Sequence, residues 1–309
     1  MKKVVLFPCL ILTILAVAGI SSGQDEDVIS VDSSIVVMNA TITGLDGKPI
    51  LGLEQNQFKI LEDGKEQEIA YFQAEETPFA AVILLDSSGS MEQRMTLARS
   101  AAITFLDGLR LKDVAAVYNF DSKVSLVQEF SNSRDIADSV FGLKAAGMTV
   151  LNDAIYRAAG ELAKRPEKRR AIIVLSDGED TKSERTADKA LKAALAANAL
   201  IYTIDMSAPD TSGKQRMLNR GALKNFAEKT GGTFVPTPGG LGLREAFKHI
   251  VGELSLQYTL GFHPVNLKND GKWRALELRV ARSNLVIRTR KGYNAPQKLV
   301  RKLGVRKGF

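Results

Sequence analysis

Apolar and polar positions follow two different periods along this chain. From residue 34 to 43 β-branched residues dominate (Ile35, Val36, Val37, Thr41 and Ile42), which predicts a strand. Asp46-Gly47 marks a turn after it. Asp63-Gly64 marks another, between the runs Phe58-Lys59-Ile60-Leu61 and Ile69-Ala70-Tyr71-Phe72. The N-terminal segment, 24–76, therefore reads as a β unit of about three strands, too small to bury a core alone. From Phe79 the period changes. Strands are expected at 80–85, 115–120, 124–127, 171–175, 200–204 and 233–235, separated by helices at 92–109, 134–141, 154–163, 186–197, 218–230 and 241–254. In the first helix Met95, Ala98, Ala102, Phe105 and Leu106 recur at helical spacing. Such alternation predicts an α/β fold with a doubly wound, mostly parallel sheet flanked by helices, spanning 77–256. After Leu256 short strands return at 257–262, 273–280 and 285–289, with a turn at Asn269-Asp270-Gly271. The β segments 24–76 and 257–296 each leave strand edges unsatisfied. They can close together into one small sandwich with the α/β domain inserted between its halves, or each can flank that domain separately.

Two of the buried-strand runs end in chemistry. Ala81-Val82-Ile83-Leu84-Leu85 stops at Asp86-Ser87-Ser88-Gly89-Ser90, and Ala171-Ile172-Ile173-Val174-Leu175 stops at Ser176-Asp177-Gly178. Between them, Gly147-Met148-Thr149-Val150-Leu151 leads into a helix. In open α/β sheets ligands bind outside the carboxyl ends of the strands, where both motifs fall. One carboxylate among neutral oxygens suits a hard divalent cation such as Mg²⁺, which keeps part of its water. The same residues also suit plain turns and helix caps, since Ser and Asp favour both. Asp153 fits a first-turn helix position favoured by the macrodipole.

Taken in order, the three segments resemble the metal-ion-dependent adhesion site of von Willebrand factor A domains: Asp-x-Ser-x-Ser, then a Thr, then an Asp beside a Gly. The resemblance implies Asp86, Ser88, Ser90, Thr149 and Asp177 as ligands of one metal ion, Mg²⁺ or alternatively Mn²⁺ or Ca²⁺. It further implies a protein partner that offers an Asp or Glu carboxylate to the open coordination position. Helix 241–254 is where a change of state would be transmitted if the family analogy holds. Phe58-Lys59-Ile60-Leu61-Glu62-Asp63-Gly64-Lys65 resembles the N-terminal flank of VWFA-related proteins frequent in acidobacteria, with Gln57 departing from their acidic residue. Tyr258-Thr259-Leu260-Gly261-Phe262 and Arg288-Thr289-Arg290-Lys291-Gly292-Tyr293 resemble their C-terminal flank.

Composition narrows the alternatives. The chain has 309 residues, 45% hydrophobic and 25% charged, enough for one large domain and a smaller one. Lys2-Lys3 followed by an apolar run to Ile20 and small residues at 21–23 read as a signal peptide, 1–23. That leader implies an exported protein, periplasmic or secreted, with no transmembrane segment after cleavage. Cys9, the only cysteine, lies in the leader, which excludes disulfides and thiol chemistry from the mature chain. Without Lys2 and Lys3 the net charge of +7 falls to +5, and ten Lys or Arg without an acid lie between Arg279 and Phe309, which leaves residues 24–278 at −5. The basic tail, 297–309, is expected to be a solvated extension with at most a weak contact to an anionic surface. Nucleic acid is not an expected partner of an exported chain. No Gly-x-Ser-x-Gly elbow or phosphate loop occurs, and His249 and His263 are remote from the motif loops. An aspartyl-nucleophile phosphotransferase would need a second Asp where this chain has Ser88, so no enzyme is expected. The leading reading is a metal-dependent binding module; a metal-stabilised structural part of an envelope assembly is the alternative.

Overall fold

A computed structural model describes residues 35–297 apart from 75, 136–137, 143–144, 209–212 and 237–239. The leader expected at 1–23 and the tail from 298 onward lie outside the described residues. Runs of β-branched and aromatic residues in the N-terminal segment form four strands: β1 (Val36–Gly44), β2 (Phe58–Glu62), β3 (Lys65–Gln67) and β4 (Ile69–Gln73). This is one more than the pattern implied. The extra strand, β3, is three residues long and mostly polar, so it lacks a period of its own. A two-residue turn creates it: Asp63 and Gly64 both adopt positive φ (47° and 81°), the geometry that pairs Glu62 with Lys65 in a tight hairpin.

The next segment alternates as expected: β5 (Phe79–Asp86), α1 (Met95–Asp107), β6 (Val114–Phe120), β7 (Val124–Ser131), α2 (Leu151–Ala163), β8 (Arg169–Ser176), α3 (Ala187–Ala196), β9 (Ala199–Asp205), α4 (Gly213–Thr230), β10 (Phe234–Val235) and α5 (Gly240–Ser255). Most boundaries shift by a few residues, and three differences have a clear local cause. The first helix begins at Met95 rather than at 92, because Gly89–Arg94 winds as a tighter 3-10 turn at the end of the Asp86 loop. The fourth helix starts five residues before 218, in a polar turn without apolar periodicity. No α-helix forms over 134–141 among the described residues; Asp138–Val140 is a single 3-10 turn. Of its described apolar residues, Val140 is buried and Phe141 is 55% exposed. The Ser133 hydroxyl also accepts the Asp135 N–H at 3.1 Å, a local bond that competes with helix.

Six strands form one sheet in the order β10-β9-β8-β5-β6-β7, parallel except for the antiparallel edge pair β6 and β7. Alternation along β5 feeds two cores. Phe79, Ala81, Ile83 and Leu85 pack with α1 and α5 on one face, whereas Ala80, Val82 and Leu84 pack with α2, α3 and Phe226 of α4 on the other. Residues buried on both faces explain why these strands read as unbroken apolar runs.

Four strands complete the described chain: β11 (Tyr258–Phe262), β12 (Trp273–Val280), β13 (Leu285–Thr289) and β14 (Gly292–Asn294). They pair with the N-terminal strands in two antiparallel sheets, β13-β1-β11-β4 and β14-β12-β2-β3. Each sheet is thus made from both ends of the chain, with the α/β domain inserted between them. Met38, Ile60, Tyr258, Leu260 and Phe262 fill the shared core. The Tyr258 hydroxyl donates to the Ile50 carbonyl (2.9 Å) and accepts the Leu53 N–H (3.1 Å), which pins the β1–β2 connection. At the joint, Arg169 at the start of β8 is fully buried. Its guanidinium donates to the Ser255 carbonyl (2.7 Å) at the end of α5, and to the Gln257 carbonyl just before β11. Burial lowers its pKa to about 10. Among the described residues no helix is long and apolar enough to cross a membrane.

Candidate functional site

The chain leaves β5 towards β6 on one side and later returns to place β8 on the other. The carboxyl ends of β5 and β8 therefore diverge at a topological switch point, the place where open α/β sheets form a crevice. Asp86 ends β5 and Ser176 ends β8, one residue beyond the Leu85–Leu175 pair. Both side chains are fully buried. Asp86 Oδ2 accepts the Ser176 hydroxyl at 2.5 Å, and Oδ1 accepts the Ser88 N–H at 2.9 Å. Burial pushes the Asp86 carboxyl up to about 7, against those hydrogen bonds, and the nearby Asp177 carboxylate pushes it further. No Arg or Lys pairs with it among the described residues.

The remaining residues singled out from the sequence converge on the same crevice. The Ser88 and Ser90 hydroxyls lie 3.1 Å apart, the first buried and the second exposed. Asp177 is partly exposed, and its Oδ1 accepts the Glu179 N–H at 3.1 Å. Thr149 is buried just before α2, and backbone bonds stitch its loop to both motif loops. On one side the Ala146 N–H donates to the Ser87 carbonyl (2.9 Å) and the Gly89 N–H to the Gly147 carbonyl (3.3 Å). On the other side the Thr149 carbonyl accepts the Thr181 and Lys182 N–H groups, each at 3.0 Å, and its own N–H donates to the Thr181 hydroxyl. Three loops distant in sequence form one hydrogen-bonded rim.

Gly178 explains why Asp177 is followed by glycine. Its φ is +82°, and a Cβ there would lie 2.6 Å from the Asn219 carbonyl oxygen of α4. The Asp177 loop therefore rests directly on that helix. Asp153 is engaged elsewhere: its carboxylate accepts the Glu184 and Arg185 N–H groups and pairs with the Arg185 guanidinium at 3.2 Å. It organises the 181–185 loop beside the crevice.

Two features were not assigned a role in the site from the sequence. Ser176 holds the second oxygen of Asp86, although its place at a strand end beside Asp177 was the available signal. Asp205-Met206-Ser207 follows β9 with the same Asp-x-Ser spacing, and its buried carboxylate accepts the Ser207 hydroxyl at 2.5 Å and meets Arg220 at 3.2 Å. Because a cation from the protein faces this second carboxylate, it differs in kind from Asp86.

The donor set fits a hard cation. Among the described residues no group of three or more His, Cys, Asp or Glu side chains converges, which disfavours a fully protein-enclosed metal cage. Hydroxyls of Ser88, Ser90 and Thr149 with carboxylates of Asp86 and Asp177 form an oxygen-only set of low charge, suited to an ion that keeps water.

Part of the chain is similar to known proteins. An uncharacterized protein of Synechocystis sp. is 32% identical over 132 residues, which cover 41% of this chain and 31% of that protein. The chain thus spans about a third of the length of the curated relative it matches. Among solved structures, von Willebrand factor type A from Catenulispora acidiphila aligns at 15% identity and a TM-score of 0.48, covering 84% of this chain and 75% of that one. An aerotolerance-related membrane protein from Bacteroides fragilis aligns at 19% identity and a TM-score of 0.46, over 57% and 98%. The vWF domain of the type V pili tip protein Mfa5 from Porphyromonas gingivalis aligns at 14% identity and 0.48, over 57% and 95%. Residues 81–179, which run from the β5 strand through Asp86, Thr149 and Asp177, match the family model of the von Willebrand factor type A domain.

Proposed function

We propose that this chain is a metal-dependent protein-binding module of an exported protein. Asp86, Ser88, Ser90, Thr149 and Asp177 would hold one divalent cation, Mg²⁺ or in its place Mn²⁺ or Ca²⁺. An Asp or Glu carboxylate of a protein partner would complete the coordination. The observation that carries this reading is the state of Asp86. A carboxylate buried at a sheet edge, beside a second carboxylate and without an Arg or Lys partner, is costly to ionise. A divalent cation offsets that cost and supplies an electrophilic position that attracts carboxylate oxygen.

The chain's own residues define the rest. Ser176 and the Ser88 N–H orient the Asp86 carboxylate, and the rim of Thr149 and Thr181 fixes the third loop. Asp177 and Ser90 lie where solvent and a partner reach. The test is a calorimetric titration of Mg²⁺ into the chain without its leader, beside Asp86→Ala. Saturable one-site binding lost in the variant is expected, and a wild type that binds no Mg²⁺ refutes the reading. Metal binding without metal-dependent capture of any carboxylate-bearing protein is the result a purely structural metal would give.

A further inference from the structure

A groove of about 780 Å³ opens beside Thr149, between the exposed face of α2 and the loops at 122–124 and 182–185. Its cations are Lys123, Arg157, Lys164, Lys182 and Arg185, against the carboxylates of Asp153, Glu161 and Glu184. Glu161 already bridges Arg157 and Lys164, each at 2.9 Å, and Asp153 holds Arg185. Lys123 and Lys182 are exposed and have no ion-pair partner among the described residues. The groove continues past Tyr156 into a second depression of about 630 Å³ that adds Lys189 and Lys192, the latter paired with Asp188 at 2.8 Å. A basic surface here is not background, because residues 24–278 carry a net charge of −5.

Two further features shape the surface for a chain. Tyr156 is 41% exposed, and the Arg185 guanidinium lies 4.6 Å from its ring centroid, giving a flat aromatic platform already flanked by a cation. Gly160 sits on the exposed side of α2, where a Cβ would meet nothing within 4 Å. Glycine is among the poorest helix formers, and nothing in the fold requires it at this position. Its missing side chain leaves the groove floor open.

We propose that this groove seats an acidic, extended polypeptide segment of the partner, running from the metal position at Thr149 along α2. The proposal rests on the metal reading for its first anchor and adds the chemistry of the partner residues beyond that anchor. From Val150 to Lys164 the helix rises about 20 Å, the span of roughly six extended residues. One carboxylate would take the metal position. The others would lie over Lys182 and Lys123, with an apolar or aromatic side chain against Tyr156. The metal reading already sets an Asp or Glu side chain at the first anchor, which commits the occupant to protein, and an anionic polysaccharide is an outcome of the test.

The test is fluorescence anisotropy of a labelled hexaglutamate peptide with the whole chain, in Mg²⁺ and in EDTA, beside a hexaglutamine control and dextran sulfate. Two variants leave all five metal ligands intact: Lys123→Glu with Lys182→Glu, and Gly160→Leu. An exposed ion pair is worth a factor of about two to five. The double reversal should therefore weaken hexaglutamate about tenfold and leave Mg²⁺ binding no weaker, because anions beside the site favour a divalent cation and the Lys182 N–H on the Thr149 carbonyl is untouched. Gly160→Leu should weaken the peptide while raising the melting temperature, since leucine is the better helix former, so loss of folding cannot account for the result. Peptide binding that needs Mg²⁺ but ignores both variants overturns the groove and leaves the metal reading standing. Binding that ignores EDTA but is lost in the variants supports the groove while removing its metal anchor. Hexaglutamate bound no better than hexaglutamine overturns the proposal, and so does dextran sulfate bound tenfold more tightly with the same sensitivity to the variants.

Discussion

Replacing Asp86 by asparagine in the metal-free protein separates the charge of this site from its shape. The carboxyl ionises at about 7 in the fold against an ordinary value of 3.8. Once it is ionised in both folded and unfolded chains, the difference costs the fold up to about 4 kcal/mol. Asparagine removes that cost but gives back about 1–2 kcal/mol, because its amide has one acceptor oxygen where Asp86 accepts the Ser176 hydroxyl and the Ser88 N–H through two. Asp86→Asn should therefore stabilise the protein in EDTA at pH 8 by about 2 kcal/mol, a rise of roughly 4–8 °C in melting temperature. The pH dependence has a definite sign. Between about pH 4 and 7 the folded wild type keeps a proton that the unfolded chain has lost, so its metal-free stability falls as pH rises through this window and levels above it. The variant lacks this slope, and the two should melt together near pH 4.5. Added Mg²⁺ reverses the order at pH 8. At a hundred times its dissociation constant the ion adds about 2.7 kcal/mol to the wild type and nothing to the variant. Differential scanning fluorimetry across pH, with Mg²⁺ and with EDTA, reads each of these shifts. A variant that melts lower than wild type in EDTA at pH 8 yet keeps the Mg²⁺ gain would show Asp86 to be a structural acceptor, and the reasoning would fail.

Two other substitutions probe how the site is held. Gly178→Ala drives a Cβ to 2.6 Å from the Asn219 carbonyl oxygen at a φ of +82°, so the urea midpoint should fall by an amount equivalent to about 2–4 kcal/mol. Mg²⁺ affinity should weaken with it as Asp177 is displaced, and an unchanged midpoint would refute the close approach. Arg169→Ala strips the Ser255 and Gln257 carbonyls of their buried donor and should cost about 2–4 kcal/mol in chemical denaturation, since each unsatisfied buried acceptor costs about 1–3 kcal/mol. Arg169→Lys should recover only part of it, because one ammonium cannot reproduce the planar fork; full recovery would mean that charge alone matters at this joint.

Periodicity by itself determined the elements whose burial is uniform. Strands β5 and β8 are apolar on both faces and α2 and α3 on one stripe, so local pattern and tertiary role agree, and the order of the three motif loops followed from them. Segment 134–141 forms no α-helix among its described residues, where the Ser133 hydroxyl takes the Asp135 N–H into a local turn, and polar turns hid the start of α4. The five candidate ligands were readable as residues, but their convergence was not. It depends on Ser87 and Gly89 meeting the 146–149 loop and on Thr149 meeting the 181–182 loop, through backbone groups that leave no mark in side-chain pattern. Likewise two sets of short strands with open edges were legible in the residue pattern, whereas the placement of β1 between β13 and β11 came from long-range pairing. The physical reason is the same in each case. Secondary structure answers to the local alternation of apolar and polar side chains, which the chain carries in its order. Strand partnership and the burial of Asp86 are collective, set by which distant surfaces exclude water together.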